Sequence, residues 1–395
     1  MKFDICIIGG CGHVGLPLGI SFAKEGKKVI ALDINDEVIR KVNSGVMPFK
    51  EEDAEELLKR VIDSGNLKAE NDPGLISESE HVIFIIGTPV SAHWYPTYQD
   101  FFAALRKYMP YFRPGQHIIL RSTIYPGITE SVDKVFKDAG LSVDVSFCPE
   151  RVSEGRAIEE LYSLPQIISG CSQQGLKRAR ELFSVFTKDI VELRPMEAEL
   201  AKLFTNTWRY IKFAVANQFL MIADDHGLDF YNIHKAASHN YPRLKDMPMP
   251  GFAAGPCLFK DTVQLDSFSE NNFFIGHAAL LINEGLPSYI ARRMKERYDL
   301  KEMTVGILGM AFKKDSDDKR ESLSYKLRNI LEKDCRKVLI TDPYVADERI
   351  IALEDVLAKS DILVIGAPHS VYERVEFGKK HVVDMWNMYG KGMWR

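Results

Sequence analysis

Phe3-Asp4-Ile5-Cys6-Ile7-Ile8-Gly9-Gly10-Cys11-Gly12-His13-Val14-Gly15 joins a short apolar run to a Gly-x-Gly-x-x-Gly spacing at Gly10, Gly12 and Gly15. Phe3 to Ile8 is too continuously apolar for a half-exposed strand, so it reads as a buried one, and an apolar-periodic helix follows from about Val14 to Lys24. In that context each glycine has a task. Gly10 permits the tight turn, Gly12 lets a pyrophosphate approach the backbone, and Gly15 lets the helix pack against the sheet with its N-terminus facing the phosphates. The next strand, Lys28 to Leu32, closes on Asp33, 18 residues beyond Gly15, where a carboxylate can accept ribose hydroxyls. The stretch therefore predicts a dinucleotide site made by Gly10, Gly12, His13, Val14, Gly15 and Asp33. The acid favours NAD over NADP, because it would repel a 2'-phosphate.

Working outward, strand-like runs recur at Val82 to Ile86, His117 to Arg121, Val143 to Phe147 and Gln166 to Ser169, separated by helical patterns such as Glu51 to Ile62 and Phe101 to Met109. Such alternation predicts a mostly parallel, doubly wound sheet. From Met196 to about His226 no strong breaker intervenes before Gly227, which predicts one long helix too polar to cross a membrane. After Thr304 the alternation restarts with Val305 to Gly309, Val338 to Thr341 ending at Asp342, Ile362 to Gly366 and Val382 to Asp384. The turn of this second doubly wound domain, Gly309-Met310-Ala311-Phe312-Lys313, lacks the glycine triple, so it holds a nucleotide differently or serves as scaffold. The expected fold is α/β, with two doubly wound Rossmann-like domains joined by a long central helix and boundaries at 1–195, 196–295 and 296–395.

The bulk composition narrows the function classes. The 395 residues carry a net charge of -4 without a massed run of Lys and Arg, so a nucleic-acid partner has no electrostatic footprint. Six cysteines without Cys-x-x-Cys spacing fit reduced thiols in the cytoplasm better than a disulfide framework, and no metal site is expected. The N-terminal apolar run stops at Gly9-Gly10, too early for a signal peptide or a membrane span.

Chemistry concentrates in three places. Cys257 stands in Gly255-Pro256-Cys257-Leu258-Phe259-Lys260-Asp261. A thiolate beside a nicotinamide site can hold an aldehyde as a thiohemiacetal, let it lose a second hydride to become a thioester, and release a carboxylate to water. By itself a free cysteine is most often a small buried hydrophobe, so its neighbours decide. Asp261, four residues on, would face the same way on a helical turn and suits activation of that water. Lys202 and Asn206 lie four apart on the long helix and can stabilise an oxyanion together, although charged residues at that spacing are more often a solvated face. Glu150 and Glu154, in Cys148-Pro149-Glu150-Arg151-Val152-Ser153-Glu154, follow a buried strand and can handle protons or position water, or equally form surface ion pairs.

Together these motifs resemble the nucleotide-sugar dehydrogenase family, which includes the UDP-glucose and UDP-N-acetylmannosamine 6-dehydrogenases. The resemblance spans nearly the whole chain: the fingerprint, Gly87-Thr88-Pro89, Ser122-Thr123-Ile124-Tyr125-Pro126-Gly127, Pro149-Glu150-Arg151-Val152, Glu199 through Lys202 to Asn206, Cys257 with Lys260-Asp261, and Ala311-Phe312-Lys313-Lys314-Asp315 followed by Arg320-Glu321-Ser322. It implies Cys257 as nucleophile, Lys202 and Asn206 at the oxyanion, and Asp261, Thr123 and Glu150 or Glu154 in the proton transfers. It adds Thr88, Pro89 and Thr123 to the NAD site. Arg151, Lys202, Asn206, Arg243, Phe252, Gly255, Phe312 and Lys313 would bind a UDP-sugar, with Lys313 meeting the diphosphate from the C-terminal domain and Arg243 reaching the substrate of a neighbouring subunit. The family implies a homodimer or higher oligomer through the long helix, and a place in polysaccharide biosynthesis.

The resemblance thus predicts a four-electron oxidation of a UDP-sugar C6 alcohol to the uronic acid, consuming two NAD. Pro149-Glu150-Arg151-Val152 and Asn240-Tyr241-Pro242-Arg243 are closer to the UDP-N-acetylhexosamine branch (ManNAc or GlcNAc), whereas Glu154 occupies a position acidic in the UDP-glucose branch, so UDP-glucose 6-dehydrogenase is the alternative. Phe252, Ala253 and Ala254 replace a glycine-rich loop, and Phe259 replaces a proline, so the departures fall on the sugar rather than the reaction. A two-electron hydroxyacid dehydrogenase also pairs a fingerprint with Lys-x-x-x-Asn, but Cys257 and the second doubly wound domain speak against it. The altered loop suggests a non-catalytic nucleotide-sugar binder, against which stands the retention of cysteine, lysine, asparagine and aspartate together.

Overall fold

The computed structural model describes residues 2–88, 90–91, 96–252, 255, 257–270 and 272–395, the side chain of Tyr98 excepted. Pro89, expected at the cofactor, lies outside the described residues, as do Ala253, Ala254 and Pro256 of the cysteine loop. The chain divides into two compact units, 1–205 and 206–395.

In the first unit β1 (Phe3–Ile8) is followed by the helix Gly15–Lys24, then β2 (Val29–Leu32), β3 (Leu67–Glu70), β4 (Ser79–Phe84), β5 (His117–Leu120) and β6 (Asp144–Phe147). They form a six-stranded parallel sheet in the order β3-β2-β1-β4-β5-β6. The pleat sends Ile5, Ile7, Val29 and Ala31 to one face, packed with Leu16 and Ile20, while Cys6, Ile8, Ile30 and Leu32 meet Phe101, Leu105 and Phe136 on the other. Both faces are covered, which is why these strands read as continuous apolar runs rather than alternating ones. The order reverses between β1 and β4, so a crevice opens at their carboxyl ends, above Gly9 to Gly12 and Gly87-Thr88.

One strand is placed differently from the expectation. Gln166 to Ser169 forms β7 (Gln166–Ile168), but pairs with β8 (Ile190–Glu192) in a separate two-stranded sheet. The N–H groups of Ser169 and Cys171 donate to the carbonyls of Phe147 and Val145, so the segment after β7, not β7 itself, occupies the outer edge of β6.

The long helix runs Pro195–Asp225, one residue from the predicted start and one from the predicted end. In the second unit β9 (Thr304–Leu308), β10 (Lys337–Thr341), β11 (Ile362–Ile365) and β12 (His381–Val383) form a parallel sheet ordered β10-β9-β11-β12. Val305, Ile307, Ile340, Ile362 and Val364 pack there with Leu323, Leu327 and Leu331. Among the described residues no helix is long and apolar enough to cross a membrane.

Candidate active site

The fingerprint turn is shaped by close approaches. A Cβ on Gly10 would stand 2.5 Å from Ala31 Cα, and one on Gly15 would stand 2.3 Å from the Gly9 carbonyl oxygen, so neither tolerates a side chain. A Cβ on Gly12 would meet only the Gly9 oxygen, at 3.6 Å, which leaves that side open to a ligand. Val14 precedes the helix without a side-chain cap, and the first turn holds no acidic residue. Leu16 N–H donates to the Gly12 carbonyl and Pro17 has no N–H, so what this helix start offers an anion is chiefly its dipole, with no acidic side chain opposing it. Asp33 Oδ2 accepts from Cys11 N–H at 3.1 Å, which holds the acid beside the turn. The His13 ring stacks on Phe49, centroids 4.1 Å apart. Across the crevice Thr88 Oγ1 donates to the Thr123 carbonyl at 2.6 Å, and Ser122 Oγ bridges the Ile86 N–H and carbonyl. These features fit a dinucleotide: an open glycine, an uncapped helix start and a carboxylate for the ribose.

Glu150 is not a loose proton carrier. Arg121, fully buried, donates through Nε to Glu150 Oε2 at 2.8 Å and through Nη1 to the Cys148 carbonyl at 3.1 Å. Glu150 Oε1 accepts from the N–H groups of Arg151 and Val152. Such partners fix a carboxylate as architecture for the turn after β6. Arg151 itself turns to the Pro165 carbonyl. The loop carrying Glu154 is held from outside: Glu51 accepts from Gly155 N–H at 2.8 Å and from Ala157 N–H at 2.5 Å. Glu199, on the long helix, accepts from Gly127 and Thr129 N–H and from Thr129 Oγ1. Burial raises the Glu199 carboxyl pKa against those bonds. The partners of Arg121, Glu51 and Glu199 escape sequence reasoning because each lies more than 25 residues away.

Lys202 and Asn206 are both buried, so this part of the long helix is not a solvated face. Asn206 Nδ2 donates to Asp261 Oδ2 at 2.6 Å, and Asp261 is 0% exposed. Its Oδ1 accepts no hydrogen bond among the described residues, and Lys260 Nζ stands 3.9 Å away. Cys257 occupies the N-cap of the helix Leu258–Phe268, and its carbonyl accepts from Asp261 N–H at 2.9 Å, so thiol and carboxylate lie one turn apart. Of the six cysteines Cys257 is the exposed one. Burial pushes Cys6, Cys11, Cys148 and Cys171 up to about 12 and Cys335 up to about 11, leaving those thiols protonated at neutral pH.

The loop before Cys257 is held by contacts on both sides. Asn217 accepts from the Gly251 N–H at 2.8 Å and donates to its carbonyl at 3.1 Å. Gly255 has φ +104, and a Cβ there would stand 2.6 Å from the Phe312 ring, so the cysteine loop and the loop bearing Lys313 touch. Phe252, expected against the sugar, is 3% exposed and packs in the core with Leu220, Phe230 and Leu286. Its ring is committed to that core. Lys313 is half-buried, with Nζ 5.7 Å from the Phe312 ring centroid. Arg243 is exposed beside Tyr241.

Residues 3–187 match the NAD binding domain of the UDP-glucose/GDP-mannose dehydrogenase family, 196–284 its central domain and 306–391 its UDP binding domain. The UDP-N-acetyl-D-mannosamine dehydrogenase of Pyrococcus horikoshii is 32% identical over 97% of this chain and 92% of its own. That of Methanococcus aeolicus is 29% identical over 99% and 92%. Among solved structures, the UDP-D-ManNAc dehydrogenase of Pyrococcus horikoshii superposes with a TM-score of 0.89 at 31% identity, covering 96% of this chain and 94% of that one. A UDP-glucose dehydrogenase from Pyrobaculum islandicum gives 0.89 at 25% identity, covering 97% and 94%. With the family's three domains matched in order along almost its whole length, the chain belongs to the UDP-glucose/GDP-mannose dehydrogenase family and is a dehydrogenase that uses NAD.

Proposed function

We propose that this protein oxidises the C6 alcohol of a UDP-N-acetylhexosamine, with UDP-N-acetylmannosamine the preferred sugar, to the uronic acid in a four-electron reaction through Cys257. The observation that carries the reading is the exposed Cys257 at a helix N-cap, one turn from a buried Asp261 that is bonded to Asn206. NAD, when bound, accepts one hydride from C6 in each of two oxidations. The first step takes a proton from the C6 hydroxyl and leaves an aldehyde. Cys257 Sγ then adds to C6, and Lys202 and Asn206 donate to the resulting oxyanion. The helix N-terminus favours the thiolate. Collapse of that thiohemiacetal oxyanion with loss of the second hydride gives a thioester. Asp261, through Oδ1, which accepts no hydrogen bond among the described residues, takes a proton from water as the oxygen attacks C6, the C–S bond breaks, and the thiol and a carboxylate remain.

Glu154 and Thr123 assist the proton transfers, while Glu150, paired with Arg121, shapes the turn. By the family resemblance Arg151 in the first unit and Gly255, Phe312 and Lys313 in the second each contribute to binding the nucleotide-sugar, and the chain divides at 1–195, 196–295 and 296–395 into cofactor, cysteine and UDP-binding parts. The exposed Trp208, Phe219 and Ile222 on the long helix support a homodimer or larger assembly, into which the exposed Arg243 reaches. The buried thiols of Cys6, Cys11 and Cys148 support a cytoplasmic setting. A uronic acid sugar nucleotide suits polysaccharide biosynthesis.

The N-acetylmannosamine reading draws on the named relatives and on the Pro149 to Val152 motif; the fold gives no preference, since a UDP-glucose dehydrogenase superposes equally well. The test is a set of specificity constants for UDP-N-acetylmannosamine, UDP-N-acetylglucosamine and UDP-glucose at fixed NAD, with NADH counted per sugar consumed. Two NADH and a preference for an acetylated sugar are expected. Superiority of UDP-glucose reassigns the sugar, and one NADH per sugar removes the four-electron reaction.

A further inference from the structure

In the second unit Asp342 follows strand β10, the position that Asp33 holds after β2 in the first unit, and there a buried histidine joins the backbone N–H partners. Asp33 gives one oxygen to Cys11 N–H and the other to Ile34 and Asn35 N–H. Asp342 Oδ2 accepts from Met310 N–H at 2.6 Å and Ala311 N–H at 3.0 Å, and Oδ1 accepts from Tyr344 and Val345 N–H. It also lies 3.0 Å from Nε2 of His369, which is 0% exposed. The other ring nitrogen, Nδ1, accepts from Asp315 N–H at 2.8 Å. Because Nδ1 must be an acceptor there, the ring proton sits on Nε2 and is donated to Asp342. The Asp315 carboxylate in turn accepts from the N–H and Oγ of Ser370, the residue after His369.

The consequence is a loop clamped at both ends. Met310 and Ala311 hang from Asp342, Asp315 hangs from His369, and the imidazole joins the two anchors. Phe312 and Lys313 lie between them, with Phe312 N–H donating to the Asp318 carbonyl at 3.0 Å and its ring against Gly255 of the cysteine loop. An acid that a dinucleotide fold would offer to a ribose is here committed to holding its own turn.

We propose that His369 is a positioning residue for the nucleotide loop, joining Asp342 to Asp315 so that Lys313 is presented to the UDP diphosphate. The inference rests on the reading that Lys313 meets those phosphates, and the experiment separates the two. UDP and NAD binding are measured by calorimetry on the full-length wild type, Lys313→Ala, His369→Phe, His369→Asn and the double variant Lys313→Ala/His369→Phe. Loss of the clamp is expected to weaken UDP binding about tenfold, the size of one hydrogen-bonded link, with NAD affinity unchanged. His369→Asn, whose side-chain oxygen can replace Nδ1 toward Asp315, restores most of the loss. With Lys313 already removed, His369→Phe has no further effect, because it acts through that lysine. If His369→Phe does not fold, His369→Gln, which reaches Asp342 but offers Asp315 no acceptor at the Nδ1 position, takes its place in the cycle. Unchanged UDP affinity on replacing His369, while Lys313→Ala weakens it, overturns the positioning role alone. Equal losses with and without Lys313 overturn it as well, because the residue then acts as general support. Unchanged affinity in Lys313→Ala overturns the lysine reading and the inference with it.

Discussion

Asn206 Nδ2 and Asp261 Oδ2, 2.6 Å apart and both buried, tie the long helix to the helix that begins after Cys257. The bond engages Oδ2, and in the proposed reaction Oδ1 serves as the base. Asp261→Asn keeps the shape but removes the base, so kcat is expected to fall about 10²–10⁴-fold, the usual worth of a positioned general base. Thermal unfolding measured alongside should show a loss of no more than about 3 kcal/mol, the worth of a hydrogen bond to a charged group. A fall in activity that merely tracks unfolding would remove Asp261 from the chemistry.

The proposed contact of Asp33 with the ribose makes that acid the source of the cofactor preference. The wild type is expected to favour NAD in kcat/KM, and Asp33→Ser to raise the NADP to NAD ratio at least about tenfold by removing the repulsion of a 2'-phosphate. An unaltered ratio would mean that the carboxylate serves only the turn at Cys11.

Arg121 and Glu150 form a buried pair, which is costly to break from one side only. Arg121→Met is expected to lose about 3–5 kcal/mol in denaturant unfolding, whereas Arg121→Met with Glu150→Met regains most of it. If the double variant is no more stable than the single one, the Arg151 and Val152 N–H groups, not the ion pair, dominate the turn.

His81 Nδ1 lies 3.0 Å from His117 Nδ1, and His117 Nε2 lies 2.8 Å from Ser146 Oγ. Burial drives the pKa of both imidazoles down, aided at His117 by His81 and Arg178; at His81 the Glu80 charge opposes the fall while Arg178 and Lys27 add to it. A base held neutral in the folded chain binds a proton only on unfolding, so its contribution is complete above about pH 6.5 and is lost as pH falls below it. Each ring adds a slope of up to about 1.4 kcal/mol per pH unit there. Unfolding free energies of wild type and His81→Gln between about pH 7 and 5 should differ in slope, the variant being flatter. Parallel curves would show that the pair does not control acid stability.

The doubly wound sheets were legible because both faces are buried, so that Ile5 to Ile8 is an unbroken apolar run ahead of Gly9, and Val305 to Leu308, with only Gly306 inside it, is one ahead of Gly309. β8, only Ile190–Glu192 and half exposed, has too little apolar content to stand out. Cys257, Asp261, Lys202 and Asn206 share helical spacing, which a sequence displays directly. Their supports do not: Arg121 reaches Glu150, Asn217 reaches Gly251, and His369 reaches Asp342, pairings that chain topology alone creates. Phe252 was legible as apolar but not as core, because the residues that enclose it come from distant helices.

The most direct measurement is uronic acid formation by Cys257→Ser at saturating NAD and UDP-N-acetylmannosamine, with NAD affinity determined on the same preparation. The fingerprint and the nucleophile belong to separate segments, so NAD should bind as in the wild type while acid production ceases. Acid formation by the serine variant at near the wild-type rate would contradict the covalent route through Cys257.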